Sequence, residues 1–183
     1  MNFYIDILIL LDPEFPATVL MNSLYSKLHK ALYDLHSTSI GISFPKYSVT
    51  LGNVLRIHGS NTDLKKLGKL NWVGSMDTFC KITEIQEVPK NHQYRIVSRK
   101  QASMSQSKLR RLVKRGSIKE DEVANYEKTK NKKDLSEPFL ELVSNSNGQH
   151  HRRYIDLGQL LDEPKSGTFD SFGLSKNGTI PWF

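Results

Sequence analysis

A single cysteine, Cys80, stands in 183 residues, so the chain can form no internal disulfide and no multi-cysteine zinc site. No apolar run approaches the roughly 20 residues that cross a bilayer, and the N-terminus carries neither the basic head nor the cleavage site of a secretory signal. A cytoplasmic protein without a membrane partner is the expectation. The six histidines, His29, His36, His58, His92, His150 and His151, are scattered, and no carboxylate cluster accompanies the adjacent pair. A metalloenzyme is therefore the least favoured class, and no metal or cofactor is expected. No internal repeat is detectable. The most informative absence is local: between Glu87 and Glu120 there is not one Asp or Glu.

What fills that acid-free stretch is positive charge. Lys90, Arg95, Arg99, Lys100, Lys108, Arg110, Arg111, Lys114, Arg115 and Lys119 all lie within it, and against a whole-chain charge of +7 these ten leave the rest net acidic by three. Leu109, Leu112 and Val113 recur at helical spacing, Ser105 or Ser107 can cap the start, and Gly116 suits the left-handed position after the last turn. The spacing predicts a helix with a narrow apolar seam and cations on nearly every other side. Such a helix repels itself unless an anion covers it, and nucleic acid does so with release of condensed counterions. A solvated charged face is the competing reading, weakened here because solvated helices usually mix both signs.

Ahead of this stretch, Asn2 to Leu11 reads as a buried strand stopped by Asp12-Pro13. Leu20, Leu24, Leu28, Ala31 and Leu35, flanked by Met21 and Leu32, predict a core-facing helix from Pro16 to His36. Ile40 to Phe44 and Val54 to Ile57 read as paired strands, Asn61 to Leu70 as a short helix and Thr78 to Val88 as a poorly alternating strand. Strand, helix, strand, strand, helix, strand is the ferredoxin-like plan. The expected fold class is α+β. It comprises a ferredoxin-like (RRM-like) domain over residues 1–90 and a smaller, irregular α+β RNA-binding domain over residues 91–183, with the arginine-rich helix and a C-terminal β-hairpin. In that second half Tyr94 to Lys100 looks extended, and Ser117 with Glu120 predicts a capped polar helix to about Lys128. Phe139 to Ser144 and Gln149 to Ile155 flank a hairpin turn at Asn147-Gly148. Thr168 to Phe172 looks strand-like.

Several separated segments, LDPEFP at Leu11 to Pro16, SKLHKAL at Ser26 to Leu32, IGISFP at Ile40 to Pro45, VSRKQA at Val97 to Ala102, SNSNGQH at Ser144 to His150 and GLSKNGTIPWF at Gly173 to Phe183, together carry a resemblance. In this order they resemble the repeat-processing endoribonuclease of type I-F CRISPR systems, the f subtype of the Cas-six family. The resemblance implies a metal-independent ribonuclease that binds the hairpin of a CRISPR repeat transcript and cuts at the 3′ base of its stem. It further implies attack by the upstream ribose 2′-hydroxyl, a 2′,3′-cyclic phosphate product, and retention of the product as a subunit of the surveillance complex with other Cas proteins. Free of RNA, a monomer is expected.

Carried over residue by residue, the resemblance makes His29 the catalytic histidine and Ser144, with Ser146 beside it, the hydroxyl that holds the nucleophilic ribose. Taken alone, His29 reads far more readily as a surface or core-edge residue of a helix, and Ser144 as part of a polar hairpin loop; the resemblance reverses both. Phe172 stands where family members can carry a tyrosine, so that hydroxyl is absent, and His151 stands where an aromatic ring can stack under the last base pair. Arg99 and Gln101 match the family's base-reading pair, which suits guanine and adenine edges respectively. Lys108, Arg110, Arg111, Lys114 and Arg115 would then follow phosphates. Two alternatives stay open: a catalytically weak or inactive RNA-hairpin-binding subunit, and a generic RNA-binding protein with a ferredoxin-like half.

Overall fold

Strand β1 (Phe3–Ile9) is the centre of the first sheet, because its apolar residues reach the core on one side while Tyr4, Asp6 and Leu8 serve the other. The computed structural model describes residues 1–101, 106–119, 122–123, 135–143 and 148–183, with the backbone alone at 106–109. β3 (Val54–Gly59) pairs with β1 antiparallel, from Phe3 opposite Gly59 to Leu8 opposite Val54. β2 (Gly41–Ser43) flanks β3, and β4 (Cys80–Ile82) flanks β1 on the other side, with the two-residue β5 (Gln86–Glu87) continuing that edge. The spatial order β2-β3-β1-β4 is that of the ferredoxin-like plan.

Helix α1 (Ala17–Asp34) buries Leu20, Met21, Leu24, Leu28, Ala31 and Leu32, the predicted stripe, and adds Tyr25 to it. Asp12 shapes the entry by accepting the backbone N–H of Glu14 and Phe15, both at 2.9 Å. Helix α2 (Asn61–Lys69) is capped by Ser60, whose hydroxyl oxygen accepts from Asp63 N–H at 3.0 Å. Its Leu64 and Leu67 join Ile7, Ile9, Leu55 and Ile57 in one core with α1. The opposite face of this sheet is closed by the end of the chain. Arg56 makes a forked ion pair with Asp6, 2.7 and 2.8 Å, and its guanidinium lies 3.9 Å over the ring of Phe183.

The second sheet runs β7-β8-β6-β9, all antiparallel, from β6 (Gln93–Lys100), β7 (Phe139–Val143), β8 (His150–Leu161) and β9 (Ile180–Trp182). Val97, Leu140, Leu142, Ile155 and Ile180 from it belong to the same buried cluster as α1. α1 is bonded directly to β7, where Glu141 N–H donates to Asn22 Oδ1 at 3.1 Å. The basic helix α3 covers Gln106–Lys114 and ends as the sequence predicts. Gly116 takes φ +70°, its N–H donates to Val113 O, and Ser117 N–H donates to Leu112 O, a double closure of the last turn. Leu112, Ile118 and Val123 make a small cluster of their own. Among the described residues no helix is long and apolar enough to cross a membrane.

Three expected elements differ. Thr78 to Val88 is not one strand: a 3-10 helix, Gly74–Phe79, runs into it before the short β4, and Thr83 to Ile85 separate β4 from β5. Thr168 to Phe172 is no strand either, because its backbone bonds go within a loop and to Thr38 rather than to a ladder. β8 runs on past Ile155 to Leu161, paired with β6 on both sides of a register shift between Arg95 and Val97. The segment expected as a helix from Ser117 to Lys128 lies largely outside the described residues.

Candidate functional site

The 142 residues between His29 and Phe172 are closed by one loop. Asp170 organises it: its Oδ1 accepts the N–H of Phe172 at 2.9 Å and of Leu174 at 3.0 Å, and its own N–H donates to Leu174 O. Ser175 ties down the other end, donating to Thr168 O at 2.7 Å and accepting from Gly178 N–H at 2.8 Å. Gly173 sits at φ +70° with its N–H on Asp170 O, and its carbonyl accepts from Ile42 N–H. A side chain there would meet Ile42 Cγ2 at 2.7 Å, so only glycine fits. The loop is thus anchored to β2 on one side and, through Ser175 N–H to Val97 O, to β6 on the other.

Onto this loop α1 directs two side chains one turn apart, Tyr25 and His29. Tyr25, fully buried, donates its hydroxyl to Phe172 O at 3.0 Å. Burial pushes its phenol pKa far up, against a smaller lowering by Arg153, so it remains a neutral donor. His29, half-buried, bonds through Nδ1 to Ser171 O at 2.8 Å. A carbonyl only accepts, so Nδ1 carries a proton, and in the neutral imidazole the lone pair is then on Nε2. The imidazole lies flat on the Phe172 ring, centroids 3.5 Å apart and planes 9° from parallel.

Arg153 places its guanidinium carbon 3.5 Å from the centre of the same ring. Two groups that close to one ring centre cannot share a face, so Phe172 is held between His29 and Arg153. On the Arg153 side opens a cleft of about 690 Å³, lined also by Arg99, Gln101 and the 168–177 loop. Arg99 is opposite Ile155 in the β6–β8 register, which turns it to the same face as Arg153.

Of the residues singled out from sequence, His29 and Phe172 are brought into contact, and Arg99 and Gln101 border the cleft beside them. His151 is half-buried on β8 opposite Leu142, one alternation from Arg153. Arg110, Arg111, Lys114 and Arg115 are exposed on and just after α3. Lys108 lies on α3, its side chain outside the described residues, as are Ser144 and Ser146 altogether; the flanking Val143 and His150 pair directly. Sequence reading passed over Arg153 and Tyr25. Both carried a signal: Arg153 is in phase with the inward Ile155 and Leu157, and Tyr25 is in phase with Leu28 and Leu32.

The family model described as CRISPR-associated protein (Cas_Csy4) matches residues 4–183. A protein of Escherichia coli named CRISPR-associated endonuclease Cas6/Csy4 is 39% identical over 184 residues, covering 100% of both chains. One of the same name from Pseudomonas aeruginosa is 39% identical over 187 residues, again covering 100% of both. A solved structure of CRISPR endoribonuclease Cse3 bound to a 19 nt RNA aligns with 99% of this chain and 100% of that one, at 12% identity and a TM-score of 0.39. That last likeness is too loose to carry weight.

Proposed function

This chain belongs to the Cas_Csy4 family of CRISPR-associated proteins, and from that premise we propose that it is an endoribonuclease that cuts CRISPR repeat transcripts at the 3′ foot of their hairpin. The observation that carries this reading is the bond of His29 Nδ1 to Ser171 O, which in the neutral imidazole leaves the Nε2 lone pair for a substrate hydroxyl. A ribose 2′-hydroxyl gives its proton to Nε2, its oxygen attacks the adjacent phosphorus in line, and the bond to the 5′-oxygen breaks as that oxygen takes a proton from solvent, to which the imidazolium then returns its own. A 2′,3′-cyclic phosphate and a 5′-hydroxyl end remain. Because the nucleophile belongs to the RNA, the protein needs to supply positioning and a base rather than an activated water or metal ion. Ser144 and Ser146 hold the attacking ribose in this reading, and His151 stacks beneath the last base pair. Arg99 and Gln101 read base edges, and Lys108, Arg110, Arg111, Lys114 and Arg115 follow the backbone, which fixes register without sequence choice. The product stays bound, and the protein then serves as a subunit of the surveillance complex.

The test is cleavage of the repeat hairpin from the host's own array, in excess chelator, with and without a 2′-deoxy sugar upstream of the cut. Cutting of the ribose substrate to a cyclic phosphate, and none of the deoxy substrate, is expected. Equal cutting of both, or a strict metal requirement, overturns the mechanism. One observation favours a second reading, an RNA-hairpin-binding subunit without turnover: the ring against His29 is a phenylalanine, with no hydroxyl to offer the site. Under that reading single-turnover assays at high protein concentration leave the hairpin whole at all times.

A further inference from the structure

Arg153 occupies a core position. β8 turns it to the same side as Ile155, and the β7 register sets it opposite Leu140, both at most 1% exposed. Arg153 itself is 6% exposed, and its Nε–H has no partner among the described residues. Among the described residues neither Arg153 nor Arg99 has a carboxylate within 4.0 Å. The nearest candidate, Asp170, already spends Oδ1 on two backbone N–H groups.

Cations on the other face of this sheet are treated differently. Lys100 pairs with Glu137 at 3.2 Å and Asp156 at 3.8 Å, and Arg152 pairs with Glu141 at 3.0 Å. A buried, unpaired guanidinium is costly, and the face of one aromatic ring offsets only part of that cost. Burial lowers the pKa of Arg153, Tyr25 and Asp170 raise it in part, and the nearby charge of Arg99 lowers it again. An anion in the cleft would relieve both lowering effects.

We propose that Arg153 forms a phosphate site in the cleft beside Phe172, taking one backbone phosphate of the RNA at the foot of its stem, while Arg99 keeps its fork for a base edge and adds only its charge to the cleft. The forked guanidinium matches two phosphate oxygens in a way a lysine does not. The phosphate taken flanks the cut rather than being cut, because the Phe172 ring stands between Arg153 and the His29 imidazole. The proposal rests on the reading of this chain as a binder of repeat hairpins, and extends it to a residue outside the motifs that carry the family resemblance.

The experiment measures binding, so it does not depend on cutting. Uncleavable 2′-deoxy hairpins, each with one neutral methylphosphonate linkage near the stem foot, are titrated against wild type, Arg153→Met and Arg153→Lys, with thermal melting to check folding. Wild type is expected to lose about 10- to 100-fold in affinity at one linkage. Arg153→Met is expected to be weaker by a similar factor with no further loss at that linkage, and to have a salt slope smaller by about 0.7 to 0.9. Arg153→Lys, which keeps the charge, recovers part of the affinity there, and it carries the test if Arg153→Met does not fold. Identical linkage profiles for wild type and the folded variants overturn the phosphate site alone. Failure of the wild type to prefer the repeat hairpin over a scrambled one overturns the functional reading, and this site with it.

Discussion

His29 lies face to face with Phe172, ring centres 3.5 Å apart, while its Nδ1 bonds the carbonyl of Ser171, the residue just before Phe172 in the chain. One loop thus sets both the plane of the imidazole and its tautomer. Replacing His29 with alanine removes the base without touching the cationic surface. Single-turnover cleavage is expected to fall by about 10²- to 10⁴-fold. Hairpin affinity in a filter-binding assay should stay within about threefold of wild type. A large affinity loss instead makes His29 a binding residue.

Phe172 also supports Arg153 from its other face. Phe172→Ala loses an aromatic stack and a buried cation–π contact, about 2 to 3 kcal/mol together. Thermal melting is expected to fall by roughly 5 to 10 °C, with cleavage reduced as His29 loses its platform. Phe172→Tyr keeps both contacts, so its melting temperature should match wild type, and any rise in cleavage rate measures what the missing hydroxyl is worth.

The α3 cations predict a different signature. Arg110, Arg111, Lys114 and Arg115 are exposed, so neutral substitutions there leave the fold alone. Each one that meets a phosphate should lower the slope of log affinity against log salt by about 0.7 to 0.9. Titrations between 50 and 200 mM salt, about where such slopes are read, check this. An unchanged slope with all four replaced means the helix faces solvent in the complex.

His58 gives the fold a pH dependence unrelated to the site. It is fully buried, bonded through Nε2 to the Ser43 hydroxyl at 2.8 Å, with Nδ1 unpartnered. Burial, and then the charge of Arg56, hold its pKa well below the usual histidine value. The unfolded chain therefore binds this proton more readily than the folded one. Stability is full above about pH 6.5 and declines as pH falls below it, by up to about 1.4 kcal/mol per pH unit. Melting curves from pH 7.5 to 5 should fall more steeply for wild type than for His58→Gln, and parallel curves would disprove the assignment.

Gly173 is where the loop is least tolerant. At φ +70° with Ile42 only 2.7 Å from an added Cβ, Gly173→Ala is expected to destabilise by about 1 to 3 kcal/mol. Cleavage should fall with it even though no substrate contact is removed. Chemical denaturation and single-turnover rates, measured on the same preparation, check the link.

The first half of the fold was legible because its signals are local. The buried face of α1 is the predicted stripe almost residue for residue, and Gly116 ends α3 as its position implies. Thr78 to Val88 misled because Met76 and Cys80 are buried from a 3-10 turn and a three-residue strand, where no single period holds. Thr168 to Phe172 misled because β-branched and aromatic residues there serve a loop held by Asp170 and Ser175, whose bonds leave no trace in an alternation pattern.

Composition and order of residues were sufficient to determine the helix and strand periods, the acid-free cationic stretch and the family, since each depends on neighbours within a few positions or on matched short segments. Which ring meets His29, which tautomer it holds, and that Arg153 sits buried behind that ring with no carboxylate partner among the described residues were decided only by packing. The contacts of His29 with Ser171 and Phe172 join residues more than a hundred positions apart, and no spacing along a chain encodes which distant loop will close over a helix.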